Sequence, residues 1–239
     1  MKIVALVAFA ALVMTLVERA KPAERWPSWS GWIPAAVWLN LAQIAVVICT
    51  GAVCDPWLRS VRPWNADALG TAGGAALGYV VITFAFYWWH RARHESDFLW
   101  RWFHQVHHSV ERLEVVASFY KHPFELLADS LLCSVVLYPL LGLGAEAAAG
   151  AMLLSGLAEL FYHWNVRTPR WLGFLFQRPE SHRLHHESGV HAYNYADLPL
   201  WDMLFGTFRN PARWSGRVGF KRGDERRLVE MLAGVDVTA

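Results

Sequence analysis

The chain of 239 residues reads as an all-α protein, a polytopic bundle of four to five membrane-spanning helices. Three observations lead there. Apolar residues make up 55% of the sequence and charged residues 18%, below the roughly 25% charged of an average soluble domain. Two stretches, Trp26–Cys54 and Ala68–Trp89, contain no charged side chain, and each exceeds the roughly 20 residues a helix needs to cross the hydrocarbon core. Fourteen tryptophans suit a chain that passes membrane interfaces, where an indole keeps one edge apolar and the other wet. The same run lengths disfavour a soluble all-α bundle.

Taken in order, Ile3–Val17 is an apolar run of fifteen residues behind Met1 and Lys2. It has the look of a signal-peptide core, but Val17-Glu18-Arg19-Ala20 is a poor cleavage site, so it reads as a short, uncleaved first helix. Trp26–Cys54 and Ala68–Trp89 are the firm spans. Leu126–Gly144 and Ala147–Trp164 form a helical hairpin joined by a very short Gly-Ala-Glu turn; their acids, Asp129 and Glu159, are costly against lipid and should face the protein interior. Cys49, Cys54 and Cys133 fall in or beside apolar runs without disulfide or thiolate-metal spacing, and read as small core residues. The net charge of +2 and the lack of a basic block interleaved with aromatics exclude nucleic acid as a partner.

Lys and Arg accumulate on the cytoplasmic side of short loops. If the span ending at Trp89 exits into the cytoplasm, the loop with Arg19, Lys21 and Arg25, residues 90–123 and everything after Trp164 share that side, and the last segment alone carries eleven Lys/Arg. Arg59, Arg62 and Lys2 remain opposite. Every histidine then falls on one face, as a cytoplasmic helical cap. The chain divides into membrane helices and loops over 1–67, a catalytic unit over 68–208 and a basic tail over 209–239, which reads as peripheral. Without a Lys-Asp-Glu-Leu retrieval signal at its end, the chain fits a bacterial inner membrane.

The eleven histidines are clustered. His90 and His94 are four apart at the end of a span; His104, His107 and His108 follow as H-x-x-H-H; His182, His185 and His186 repeat that string. Chance would supply only about 0.02 copies of it in such a composition. Residues at i, i+3 and i+4 share a helical face, so each H-x-x-H-H can aim three imidazoles at a common site, with His90 and His94 adding two. Eight such nitrogens exceed the needs of one four-coordinate zinc and suit two metals with open positions. Iron, zinc, copper and nickel all accept imidazole; iron is the first choice, with zinc an alternative occupant after purification. His163 lies one helical turn after Glu159 and is placed to be a ninth ligand, with Glu159 as its acceptor. His122 precedes a helix and reads as supporting the ligands, with ligation or simple helix entry as alternatives. His191 reads as a surface or pocket residue.

These strings resemble the fatty acid hydroxylase and sterol desaturase superfamily of membrane non-haem di-iron oxidases. The resemblance runs from about Tyr79 to Phe208 through Trp89-His90-Arg91-Ala92-Arg93-His94, Phe103-His104-Gln105-Val106-His107-His108, His122-Pro123-Phe124-Glu125, His163-Trp164-Asn165, Pro179-Glu180-Ser181-His182-Arg183-Leu184-His185-His186, Asn194-Tyr195 and Trp201-Asp202-Met203-Leu204-Phe205-Gly206-Thr207. It implies that the eight box histidines, joined by His163, hold two iron ions, and that Asn194, Tyr195 and Asp202 belong to a loop that closes over or braces the site. Asn194-Tyr195 is followed here by Ala196 where the family more often has glycine.

The expected function is O2-dependent oxidation of a membrane lipid, an acyl chain or a sterol- or isoprenoid-like molecule, with hydroxylation first and desaturation as the alternative. No dinucleotide fingerprint, iron–sulfur cysteine cluster or haem-attachment motif is present in the sequence, so electrons must come from an external donor: a ferredoxin, a cytochrome or a reductase. The basic tail would attract an acidic one. A membrane zinc hydrolase using Glu187 or Glu159 as base is the competing reading, distinguished by turnover without oxygen.

Overall fold

The structure, a computed structural model, describes residues 2–238. Five long helices carry the bundle: α1 (Lys2–Ala20), α2 (Trp32–Ser60), α3 (Gly70–Glu95), α6 (Pro123–Val135) and α7 (Ala145–His163); the short helices α4 (Asp97–Phe103) and α5 (Gln105–His108) lie between α3 and α6. After α7 come a 3-10 turn (Arg170–Phe174), α8 (Pro179–His185), α9 (Pro199–Phe205) and α10 (Leu228–Leu232). No strand occurs among the described residues; a lone bridge pairs Glu187 with Val218. By length and apolarity four segments can cross a bilayer: Ile3–Ala20, Trp32–Ser60, Asp67–Glu95 and Pro123–Leu140.

Side-chain bonds tie the loops into two opposite ends. Arg62 Nη1 donates to the carbonyls of Gly142 and Leu143 at 3.2 and 3.1 Å, so the α2–α3 connection meets the α6–α7 turn. At the other end the Glu18 carboxylate accepts from the backbone N–H groups of Val115 and Asn165. Five helices, α7 among them, run between these ends, so residues 18–31, 96–122 and 164–238 connect at the end that holds the histidines.

Charge-free runs and helices do not coincide. Trp26–Trp29 is irregular and α2 continues past Cys54 to Ser60, because the Asp55 carboxylate is taken up by the hydroxyls of Ser134 at 2.7 Å and Tyr138 at 3.4 Å. The expected hairpin helix also changes form: after Val135 the backbone widens into a π-turn over Val136–Leu140. Pro139 lacks an N–H and cannot continue the α ladder, and the Leu141 N–H bonds back to Val136 at 3.0 Å. Asp129 and Glu159 face inward as expected, against Trp89 Nε1 at 2.8 Å and Lys121 Nζ at 2.5 Å respectively.

The α3–α7 contact is made of small residues. A Cβ at Gly78 would lie 2.9 Å from Ala151 Cβ, and one at Gly150 would lie 2.7 Å from Ala75 Cβ; such small-residue seams let helix backbones approach where lipid supplies no hydrophobic drive. A second core lies under the histidine face. Trp32, Ala36 and Leu39 of α2 pack with Val106, Tyr120, Phe220, Met231 and Val237. The tail is therefore not the peripheral appendage its Arg-rich composition suggests: Phe220, Met231 and Val237, spaced too irregularly for a periodicity argument, are buried, and Glu225 pairs with Arg112 at 2.9 Å.

Candidate metal centre

Each histidine arrives by a distinct local device. His90 and His94 occupy one face of the last turns of α3. His104 sits at a kink between α4 and α5, at φ −147°, and His107 and His108 follow on α5. His163 is the last residue of α7, and His182 and His185 lie on α8 with His186 at its C-cap. Pro179 starts α8 without loss, since the first helical N–H has no intrahelical acceptor.

The nine imidazoles form two groups, His90, His94, His104, His108 and His185 in one and His107, His163, His182 and His186 in the other; within each, the candidate ligand atoms all lie within 4.8 Å of one another. This departs from three imidazoles per box at a common point. Each H-x-x-H-H instead divides, sending the i, i+4 pair to one group and the i+3 residue to the other. His104 and His108 face the first group and His107 the second; His182 and His186 face the second and His185 the first. The i, i+4 pair lies about 40° apart around a helix and the i+3 residue about 60° to the other side, so one short helix serves two sites.

Acceptors outside the groups set which nitrogen points inward. His90 Nδ1 donates to the Tyr195 carbonyl at 2.7 Å, His185 Nδ1 to the Tyr193 carbonyl at 2.7 Å, His163 Nδ1 to the Glu159 carbonyl at 2.9 Å and His104 Nδ1 to the Glu125 carboxylate at 2.9 Å. A carbonyl can only accept, so each of these rings carries its proton on Nδ1 and presents an Nε2 lone pair. These lone pairs converge. His104 Nε2 lies 3.1 Å from His108 Nε2, and His163 Nε2 lies 3.2 Å from His182 Nε2. Nε2 of His90, His94 and His185, and ring nitrogens of His107, His182 and His186, are buried without a protein partner. Such a set of orphaned acceptors is costly alone and is what a cation satisfies.

Burial holds the imidazoles of His104, His107, His108, His182 and His186 well below their ordinary 6.5 and takes His185 down to about 3. The rings are neutral at physiological pH, the form that binds metal. The residues fit a pair of transition-metal ions.

The loop after α8 braces the first group. His191, Tyr193 and Asn194 all take positive φ, at 41°, 69° and 50°, a strained state for residues other than glycine, held in place by surrounding bonds. The Asp202 carboxylate accepts from the N–H groups of Tyr195 and Ala196 at 2.8 and 3.0 Å, and Asn194 Nδ2 donates to the Ser181 carbonyl at 3.1 Å. His191, read from sequence as a surface or pocket residue, sets its Nδ1 3.0 Å from His108 Nδ1.

Two expectations change. His122 lies in neither group and follows the helix-entry alternative: its Nδ1 caps α6 by accepting from the Phe124 N–H at 3.0 Å, the ordinary use of a polar residue before a helix-opening proline. Glu159 serves His163 through its backbone carbonyl, while its carboxylate pairs with Lys121. Sequence reasoning missed Glu125, which is wholly buried and joins Arg93 to His104; a carboxylate immediately before an apolar segment was the available signal. The carbonyls of Tyr193 and Tyr195 had no signal, because every residue carries one.

A cavity of about 710 Å³ opens beside both groups. His90, His104, His107 and His182 belong to its lining, and Val4, Val7, Ile44 and Val47 of α1 and α2 contribute an apolar flank.

A profile of the fatty acid hydroxylase family matches residues 75–207. Among known proteins, the chain is 35% identical over 182 residues to an ornithine lipid hydroxylase of Rhizobium tropici, covering 72% of this chain and 54% of that protein. It is 28% identical over 204 residues to a very-long-chain aldehyde decarbonylase of Oryza sativa subsp. indica, covering 78% and 31%. With the alkylglycerol monooxygenase of Homo sapiens it shares 30% identity over 154 residues, covering 61% and 32%. The chain thus spans about half or less of the length of these relatives, and no solved structure matches it significantly.

Proposed function

Because the chain belongs to the fatty acid hydroxylase family, we propose that it is a membrane-bound, O2-dependent non-haem di-iron oxidase that hydroxylates a lipid. One observation carries the reading: two adjacent groups of neutral imidazoles, their inward nitrogens without protein partners, beside a cavity with an apolar flank. An iron pair, when bound, would supply the O2-dependent oxidation of a C–H bond. The rest falls to the chain. His90, His94, His104, His108 and His185 would hold one ion, and His107, His163, His182 and His186 the other. Tyr193, Tyr195, Glu159 and Glu125 keep the Nδ1 protons away from the metals. The cavity flank of α1 and α2 would receive an acyl or isoprenoid chain and exclude water from the reacting carbon. Relatives described as hydroxylase and monooxygenase favour the alcohol over the alkene as product.

Electrons would come from a soluble ferredoxin, cytochrome or reductase docking on Arg213, Arg217, Lys221 and Arg222, all exposed on the histidine face. The same excess of Lys and Arg supports a cytoplasmic position for that face in a bacterial inner membrane.

The test is elemental analysis of detergent-purified protein, with His94→Ala and His186→Ala beside the wild type, followed by lipid analysis of expressing cells with and without oxygen. About two iron ions per chain are expected, one lost with each substitution, together with a hydroxylated lipid made only aerobically. Metal unchanged by both substitutions, or product formed in anoxia, would overturn the proposal.

A further inference from the structure

The short helix α9 carries Asp202 on its inner side and leaves Leu200, Met203 and Leu204 exposed on its outer side. The neighbouring segment exposes Trp171, Phe174 and Leu175 in the same way, with Leu204 and Trp171 each 62% exposed. Apolar side chains gathered on one surface mark a contact that the isolated chain does not contain.

The position of α9 along α3 identifies the contact. Trp201 Nε1 donates to Thr83 Oγ1 at 2.9 Å, the Trp201 ring meets Phe84 at 4.9 Å, and Phe205 packs on Trp88 at 4.8 Å. All three partners belong to the charge-free run Ala68–Trp89. The first charged residue of α3 is Arg91, and at the α-helical rise Thr83 lies about 12 Å deeper along the axis. On the same helix Leu77, Val80, Phe84 and Trp88 are exposed to the surroundings that a membrane span must have, namely lipid. The outer surface of α9 continues that lipid-facing surface sideways. Arg167, Arg170 and Arg209 are exposed beside it, where guanidinium groups complement lipid phosphates.

We propose that α9 and the Trp171–Phe176 segment form a platform embedded in the leaflet on the histidine side, with the acyl chains and phosphate headgroups of that leaflet as its partner. It lies in the membrane without crossing it. The inward Asp202 bonds to Tyr195 and Ala196, and the Tyr195 carbonyl accepts from His90, so the element that meets lipid also positions the brace of the first histidine group. The proposal rests on the membrane spans and not on the reaction.

The test places the photo-crosslinker p-benzoyl-phenylalanine at single exposed positions in the full chain, reconstituted in nanodiscs of phosphatidylcholine and phosphatidylglycerol. Leu204 and Phe174 probe the platform, Trp38 of α2 is a lipid-facing reference, and Val229 of α10, 81% exposed, is a reference on the tail. Phospholipid adducts at Leu204 and Phe174 at the level of Trp38, with none above background at Val229, are expected. Labelling at Trp38 with no lipid adduct at Leu204 and Phe174 would overturn the platform, as would adducts there to a second copy of the chain.

Discussion

His90, His163 and His185 each donate from Nδ1 to a backbone carbonyl, and this small fact decides the chemistry of the centre. An imidazole has two usable nitrogens, and the acceptor behind the ring selects the one in front. His185 and its neighbour His191 also set a pH response. Burial takes His185 from its ordinary 6.5 to about 3 and His191 to about 4, so between those values and 6.5 the unfolded chain binds protons that the folded chain refuses. Stability therefore falls as pH falls through that window and is fully present above it. Thermal unfolding of metal-free protein in detergent should show the midpoint dropping steadily between about pH 6.5 and 4. A flat profile there would mean that the imidazoles accept protons without unfolding, as they would in a wet, open site.

The helices α3 and α7 hold the two groups in register, since α3 ends in His90 and His94 and α7 ends in His163. Their contact depends on glycine and alanine, and Gly78 is crowded from two sides, with prospective Cβ contacts of 2.9 Å to both Ala151 and Leu137. Gly78→Val should push α3 from α7 and cost about 1–3 kcal/mol, with weaker metal retention in both groups because α3 supplies His90 and His94 to one and α7 supplies His163 to the other. Denaturation of the variant beside the wild type, read with metal content, checks this; a variant of wild-type stability would show that the seam can open freely. Division of each box between two groups is also a property of elements. It requires α5 and α8 to stand between the groups, which spacing along one helix does not reveal.

For the whole molecule, the tail closes the histidine face from beneath. Phe220, Met231 and Val237 fill the core under α5, while Arg213, Arg217, Lys221 and Arg222 remain in solvent. Core packing and the proposed donor docking are thereby separable. Reversing Arg217, Lys221 and Arg222 to glutamate should leave the fold and turnover with a chemical reductant intact, but slow turnover driven by an acidic protein donor about 10-fold or more at low salt. Equal rates with the protein donor before and after reversal would place the docking surface elsewhere.

By itself the sequence determined the material of this protein: spans long enough to cross a bilayer, and histidines at helical spacing near the ends of those spans. Both are periodic, local properties, and local periodicity survives in one dimension. The same strings carried the family resemblance, and the profile match agrees with it over residues 75–207. Only the tertiary structure decided how nine imidazoles partition into two groups, which ring nitrogen His90, His104, His163 and His185 present, and that Glu125 stands behind His104 while His122 does not join them. It also decided that apolar residues of an Arg-rich tail belong to the core and that α9 packs on the charge-free run of α3. These depend on carbonyls, which every residue has, and on contacts between residues far apart in the chain. Neither leaves a pattern in the order of side chains.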